Sequence, residues 1–155
     1  MLIPTEPKMM FLFFVAIFVV LFVIANYFLP FNKTPVTLIS GRKEVNVIAE
    51  IADNPISQAK GLMFRESLKE NEGMIFIFSG NEKRTFWMKN TLIPLDIIFV
   101  SSDMTIVDIK ENFEPCQEFS CPSYTSKAGA KYVLEVNAGF VKKHNIKIGD
   151  RMRFR

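Results

Sequence analysis

The sequence predicts an α+β, mostly β domain, a small bent sheet or barrel-like fold with two short helices, preceded by one transmembrane helix. Three observations carry this. Met9 to Leu29 runs without a charge; many short apolar segments bounded by Gly, Pro, Asn and Ser follow it; and the strand–helix–strand rhythm of a parallel α/β fold is missing. The expected layout is an N-terminal tail over 1–8, a transmembrane anchor over 9–29, a linker over 30–35 and a soluble β-rich domain over 36–155.

The anchor is argued from length. Seven of the 16 phenylalanines lie in the first 32 residues, where Glu6 and Lys8 are the only charges. A 21-residue helix rises about 31 Å, against about 30 Å of bilayer hydrocarbon. A secretory signal has a shorter apolar core, and Ala25-Asn26-Tyr27 makes a poor cleavage site. Tyr27, Phe28 and Phe31 stand where an interfacial aromatic belt is expected. Lys33, Arg42 and Lys43 outnumber Lys8, which by the positive-inside count puts the domain in the cytoplasm. Long domains translocate largely regardless of that count, and the cysteines favour an oxidising compartment. The domain is therefore expected outside the cytoplasm, on a single-pass membrane protein.

The remaining 123 residues carry 18 Lys/Arg and 15 Asp/Glu, a net of +3. Ordinary composition, 49% apolar and 23% charged over the chain, excludes a disordered chain, and the interleaved signs give no basic stripe for nucleic acid. Pro30 to Pro35 reads as a stiff spacer. Val45, Val47, Ala49 and Ile51 alternate with mostly polar residues, as in a half-buried strand. Asn54-Pro55 supplies an N-cap and a proline at the first helical position, starting a short helix to about Lys60. Gly73 to Phe78 reads as a buried strand, turning through 80–84 into Thr85-Phe86-Trp87-Met88. Ile97 to Val100 is apolar on both faces, like a central strand. Thr105 to Ile109 follows, then a loop with Cys116 and Cys121, a strand over Tyr132 to Val136, a helix over Ala138 to Asn145 and a last strand from Arg151 to Phe154.

In that order stand Gly61-Leu62-Met63-Phe64-Arg65, Gly73-Met74-Ile75-Phe76, Phe86-Trp87-Met88-Lys89-Asn90-Thr91, Pro94-Leu95-Asp96, Leu134-Glu135-Val136-Asn137-Ala138-Gly139 and Ile148-Gly149-Asp150. Over roughly Val36 to Phe154 the chain closely resembles the domain of unknown function 192 family. The resemblance implies a small β-rich fold in prokaryotic proteins that often carry an export signal or anchor. It implies no reaction and no cofactor.

No catalytic set is recognisable. His144, the only histidine, follows Lys142 and Lys143 near a helix end, where cations complement the helix dipole. One histidine and two cysteines make a poor zinc set, so no metal is expected. There is no P-loop, G-x-G-x-x-G or G-x-S-x-G. Cys116 and Cys121, flanked by Pro115 and Pro122, close a six-residue ring as a structural disulfide worth about 2 kcal/mol; unpaired thiols and a redox pair are the alternatives. The methionines and phenylalanines at 63, 64, 74, 76, 86 and 88 suit a core, or an adaptable groove.

Polar residues inside apolar motifs are the site candidates: Arg65, Trp87, Lys89, Asn90, Asp96, Glu135 and Asn137. Asp96 and Glu135 are expected to be shielded from water beside a cation, Lys89 or Arg65, because an isolated buried charge is costly. Two readings stay open, a structural ion network or a polar cleft that binds a ligand. Function follows the same split. A membrane-tethered binding or accessory module of the cell envelope comes first, its partner an envelope polymer, a small molecule or a membrane protein. An envelope hydrolase using Asp96 and Glu135 as acid and base, or an assembly subunit, are the alternatives.

Overall fold

The computed structural model describes residues 7–28 and 31–154, with the backbone alone for 23–28. Contacts divide the chain into two units, residues 1–30 and 31–155.

The first unit holds α1 (Pro7–Phe28). Here the sequence expectation is corrected. Among the described residues no helix is long and apolar enough to cross a membrane. Residues 1–6 of the expected tail, Leu29 of the expected anchor and Pro30 of the expected linker lie outside the described residues.

The second unit is mostly β, as expected. In chain order it holds β1 (Lys33–Ser40), β2 (Lys43–Ala52), α2 (Pro55–Lys60), β3 (Glu72–Glu82), β4 (Thr85–Trp87), β5 (Leu95–Val100), β6 (Ile106–Phe113), β7 (Ser123–Thr125), β8 (Ala130–Asn137), α3 (Phe140–His144) and β9 (Arg151–Phe154). Seven strands make one sheet in the order β6-β5-β8-β3-β2-β1-β9, and β4 pairs with β7 as a separate ribbon. Every pairing is antiparallel except β2 with β3, whose connection runs through α2 and residues 61–71. The sheet curls into a half-barrel whose edges meet at one corner: Ile106 N–H donates to Asp150 O at 2.8 Å and Met152 N–H to Met104 O at 2.9 Å.

Both sheet faces are buried over the middle strands. Val36, Leu38, Ala49, Ile75, Ile98, Leu134, Val136 and Met152 form one core. All seven strands contribute to it, edge strands included, so it fills the inside of the curl, where Phe140 and Val141 of α3 join it. On the other face lie Ala52, Met74, Phe76, Leu95, Ile97 and Phe99, covered by Leu62 and Met88. This double burial explains why β5 is buried at all six positions and reads as a continuous apolar run.

Local signals are realised where they are strong. Asn54 Oδ1 accepts from Ser57 N–H at 3.0 Å, and Ser57 Oγ accepts in return from Asn54 N–H at 3.2 Å, a capping box ahead of Pro55. The linker expectation fails over residues 33–35, which open β1. Pro35 is tolerated there because β9 pairs only with Val36 to Ile39, so its missing N–H leaves no ladder bond unmade.

Candidate functional site

The site is built on the outward-facing core at the middle of the sheet. Register aligns Glu50 with Met74, Met74 with Glu135, and Ile97 with Glu135, so one row across four strands reads Glu50–Met74–Glu135–Ile97. Opposed residues share a face. Gly73 brings β3 close here, since a Cβ on it would stand 2.5 Å from Glu135 O. Glu135 is 4% exposed, and its Oε2 has no hydrogen-bond partner among the described residues. Burial pushes its carboxyl up to about 8, so it is largely protonated at neutral pH.

Above Glu135 opens a cleft of about 40 Å³, enclosed by the end of α2 and Gly61 to Met63 on one side and by Phe86, Trp87 and Thr91 on the other, with Phe76 at its floor. Gly61 ends α2 at φ +47°, a left-handed-side value suited to glycine, and turns the chain across the cleft. The β4–β7 ribbon supplies the aromatic wall. Phe86 turns inward, its ring edge-on to Phe76 with centroids 5.0 Å apart, while Trp87 is 54% exposed at the mouth. Tyr124 clamps the ribbon down: its hydroxyl donates to the buried Asp108 Oδ2 at 2.8 Å.

The other polar candidates tie down the loops that frame this cleft. Arg65 Nη2 donates to Glu50 Oε2 at 2.7 Å, holding the 61–71 crossover to β2. Asn137 Nδ2 donates to Leu68 O at 2.9 Å and fixes the same crossover to β8. Asn90, at φ 55°, donates its N–H to Cys116 O at 2.9 Å and accepts from Phe64 N–H at 2.8 Å. Phe64 is itself left-handed at φ 59°, an unusual state for a bulky residue. Lys89 Nζ donates to the carbonyl oxygens of Glu118 and Phe119. Those carbonyls lie in the loop closed by the Cys116–Cys121 disulfide, whose Cα atoms are 5.8 Å apart.

Asp96 does not belong to this constellation. It is opposed to Val136, one residue out of step with Glu135, and so projects to the inside of the curl. There Oδ1 accepts from Asn112 N–H at 2.8 Å and Oδ2 from Val141 N–H at 2.9 Å, pinning the first turn of α3. Both carboxyls are shielded, as expected. The expected cation beside them is absent: Arg65 is bonded to Glu50, Lys89 to loop carbonyls, and no described cation forms an ion pair with Asp96 or Glu135. The acid–base pair expected of a hydrolase is likewise not formed, because a sheet separates the two groups.

Glu50, Gln58 and Thr91 were not among the sequence candidates. Glu50 sits in an alternating strand and looks like a solvent-facing residue; only the pairing of β2 with β3 turns it under Arg65. Gln58 Nε2 donates to Ile77 O at 2.8 Å, tying α2 to β3. The capping box that starts α2 fixes its place, but no local signal gives the residue it meets. Larger hollows lie elsewhere, about 390 Å³ by Pro35 and Arg153 and about 180 Å³ by Glu70 and Lys143. Their charged side chains are exposed and paired, Arg153 with Glu44 and Lys143 with Glu70. Among the described residues no group of three His, Cys, Asp or Glu side chains gathers as a metal site requires.

A curled, mostly β half-barrel with a buried carboxyl, Glu135, under an aromatic-lipped cleft defines the class of domain. The chain belongs to the DUF192 family (Uncharacterized ACR, COG1430), whose model matches residues 36–154. It is 33% identical over 107 residues to a UPF0127 protein of Pyrococcus abyssi, covering 68% of this chain and 84% of that one. With a UPF0127 protein of Thermococcus sibiricus it shares 29% identity over 123 residues, covering 78% and 71%. Among solved structures it is similar to a candidate transcription regulator from Sinorhizobium meliloti 1021, with a TM-score of 0.76 and 36% identity over 81% of this chain and 96% of that one. A protein of unknown function from Novosphingobium aromaticivorans DSM 12444 gives a TM-score of 0.73 and 38% identity over 78% and 84%.

Proposed function

We propose that this domain is a small-molecule binding module acting outside the cytoplasm, with the Glu135 cleft as its binding site. One observation carries the proposal: a carboxyl buried between Met74 and Ile97, whose Oε2 has no hydrogen-bond partner among the described residues, faces a cleft whose lip is an exposed tryptophan. An uncompensated buried polar group is costly, and small-molecule sites are mostly apolar hollows with few polar groups and a shifted pKa. The loops around the cleft are each tied by a hydrogen bond, an ion pair or the disulfide, so the walls are held in place before a ligand arrives. The disulfide supports the compartment, since such bonds persist in oxidising surroundings. The regulator label belongs to the Sinorhizobium meliloti protein, and the weak, interleaved charge of this chain gives it no support here.

A fragment screen on the full chain, read by Trp87 fluorescence and amide NMR, tests the site. Saturable shifts are expected at residues 58–63, 86–91 and 135, and Met63→Trp, which fills the cleft, should remove them. Shifts confined to other surfaces, or unchanged by Met63→Trp, would sink the proposal. Alkylation of intact cells with a membrane-impermeant maleimide tests the compartment: labelling only after reductant is expected, and labelling only after permeabilisation without reductant contradicts it.

A further inference from the structure

We infer that the Glu135 cleft takes the ammonium head of a primary alkylamine, with the alkyl stem leaving past Trp87. The inference rests on the binding role proposed above and names its ligand class. It starts from what the cleft offers. The carboxyl of Glu135, the rings of Phe76, Phe86 and Trp87, and the thioether of Met63 are all electron-rich surfaces. A cation is attracted to aromatic faces and to a carboxylate, and an ammonium head brings three donors to such a lining.

Charge balance points the same way. Met74 and Ile97, the strand neighbours of Glu135 on β3 and β5, carry no charge. Glu50 on β2 is held by Arg65 at 2.7 Å. Lys60 at the end of α2 lines the cleft, yet its ammonium lies 5.0 Å from the centroid of the Phe31 ring and forms no ion pair with Glu135. Lys89, beyond β4, is turned to the carbonyls of Glu118 and Phe119. The cations around the cleft are thus engaged elsewhere, and Glu135 is the acid left to meet one from outside. Size agrees. A hollow of about 40 Å³ exceeds the roughly 10–15 Å³ that a single water needs, so it has room for an ammonium head group.

Binding is a proton exchange. Burial keeps Glu135 protonated up to about pH 8. The alkylammonium enters with its own proton, the carboxyl proton passes to bulk water, and a carboxylate–ammonium pair remains. One cation enters and one proton leaves, so the charge in the cleft is unchanged.

The full chain is titrated with n-butylammonium chloride and with neutral butyramide, against potassium chloride at matched ionic strength. Fluorescence of Trp87, the only tryptophan, reports occupancy. Butylammonium is expected to saturate and to bind about fifty-fold more tightly at pH 8 than at pH 6, by linkage to one carboxyl. At pH 7 calorimetry in buffers of different ionisation heat should show close to one proton released. Glu135→Gln, nearly the same shape, should weaken the amine at least tenfold without lowering the melting temperature. Tighter binding of butyramide, amine affinity that falls as pH rises, or indifference to Glu135→Gln each overturns the amine assignment. If neither probe binds while the fragment screen finds other occupants of the cleft, the ligand class falls and the site stands. If nothing binds there at all, both fall.

Discussion

At the scale of single residues, Glu135 and Asp96 show two ways to bury a carboxyl. Asp96 is fully buried and accepts two backbone N–H groups, one for each oxygen. Removing it strands two donors inside the protein, and each stranded donor costs about 1–3 kcal/mol. Asp96→Ala should therefore lose about 2–6 kcal/mol in urea melts while the surviving folded protein keeps its Trp87 emission. An unchanged midpoint would mean that the two donors find other partners. Glu135 has no such support, and burial raises it from 4.5 to about 8. A raised acid stabilises the fold fully below its unfolded pKa, because there both states are protonated. Between about pH 4.5 and 8 the unfolded chain ionises and the folded one does not, so stability falls by up to about 1.4 kcal/mol per pH unit and levels off above 8. Melting temperature against pH should show this decline, and Glu135→Gln should flatten it, matching the native protein near pH 5 and exceeding it above pH 7. A native profile already flat from pH 5 to 8 would mean that the carboxyl is ionised in the fold.

Elements bring these residues together through ties that sequence periodicity does not reveal. The disulfide loop is the clearest case. Cys116 N–H donates to Met88 O at 3.1 Å and Cys116 O accepts from Asn90, so the loop fixes the turn that follows Trp87. Closing this six-residue ring is worth about 2 kcal/mol. The double variant Cys116→Ser/Cys121→Ser should lose about that much and blue- or red-shift Trp87 emission, whereas stability lost with no change at Trp87 would separate the loop from the cleft. The pair was legible from spacing and flanking prolines, as were α2 from Asn54-Pro55, β5 from its apolar run and β9 from its turn. The ribbon was half legible: alternation puts Phe86 and Trp87 on opposite faces, but nothing local says which face turns inward or marks Ser123–Thr125 as its partner. β1 was missed because Pro35 argues against a strand unless the edge position is known. Glu50, on the same face as Glu135, depends on one parallel pairing across a 19-residue connection, and such long-range registers leave no local trace.

At the scale of the whole molecule, the two cores on opposite faces of one sheet explain why the sequence patterns are mixed. Strands at the curl's edges alternate, and those in its middle are apolar on both sides, so the charges that survive in the middle are bonded or, at Glu135, held neutral. All nine strands, both short helices, the disulfide and every residue of the cleft lie in the unit beginning at Phe31. Among the described residues both cores are filled from that unit as well, and the sheet closes its own corner through β6 and β9. Folding of the β unit should then draw nothing essential from residues 1–30. A chain of residues 31–155, oxidised, is expected to unfold in one cooperative step with a midpoint within a few degrees of the full chain. It should keep the Trp87 emission and the Cys116–Cys121 bond. Broad, non-cooperative melting or exposed apolar surface by dye binding would show that the first thirty residues complete the core. With cooperative melting retained, the half-barrel and its cleft stand as a folding unit on their own.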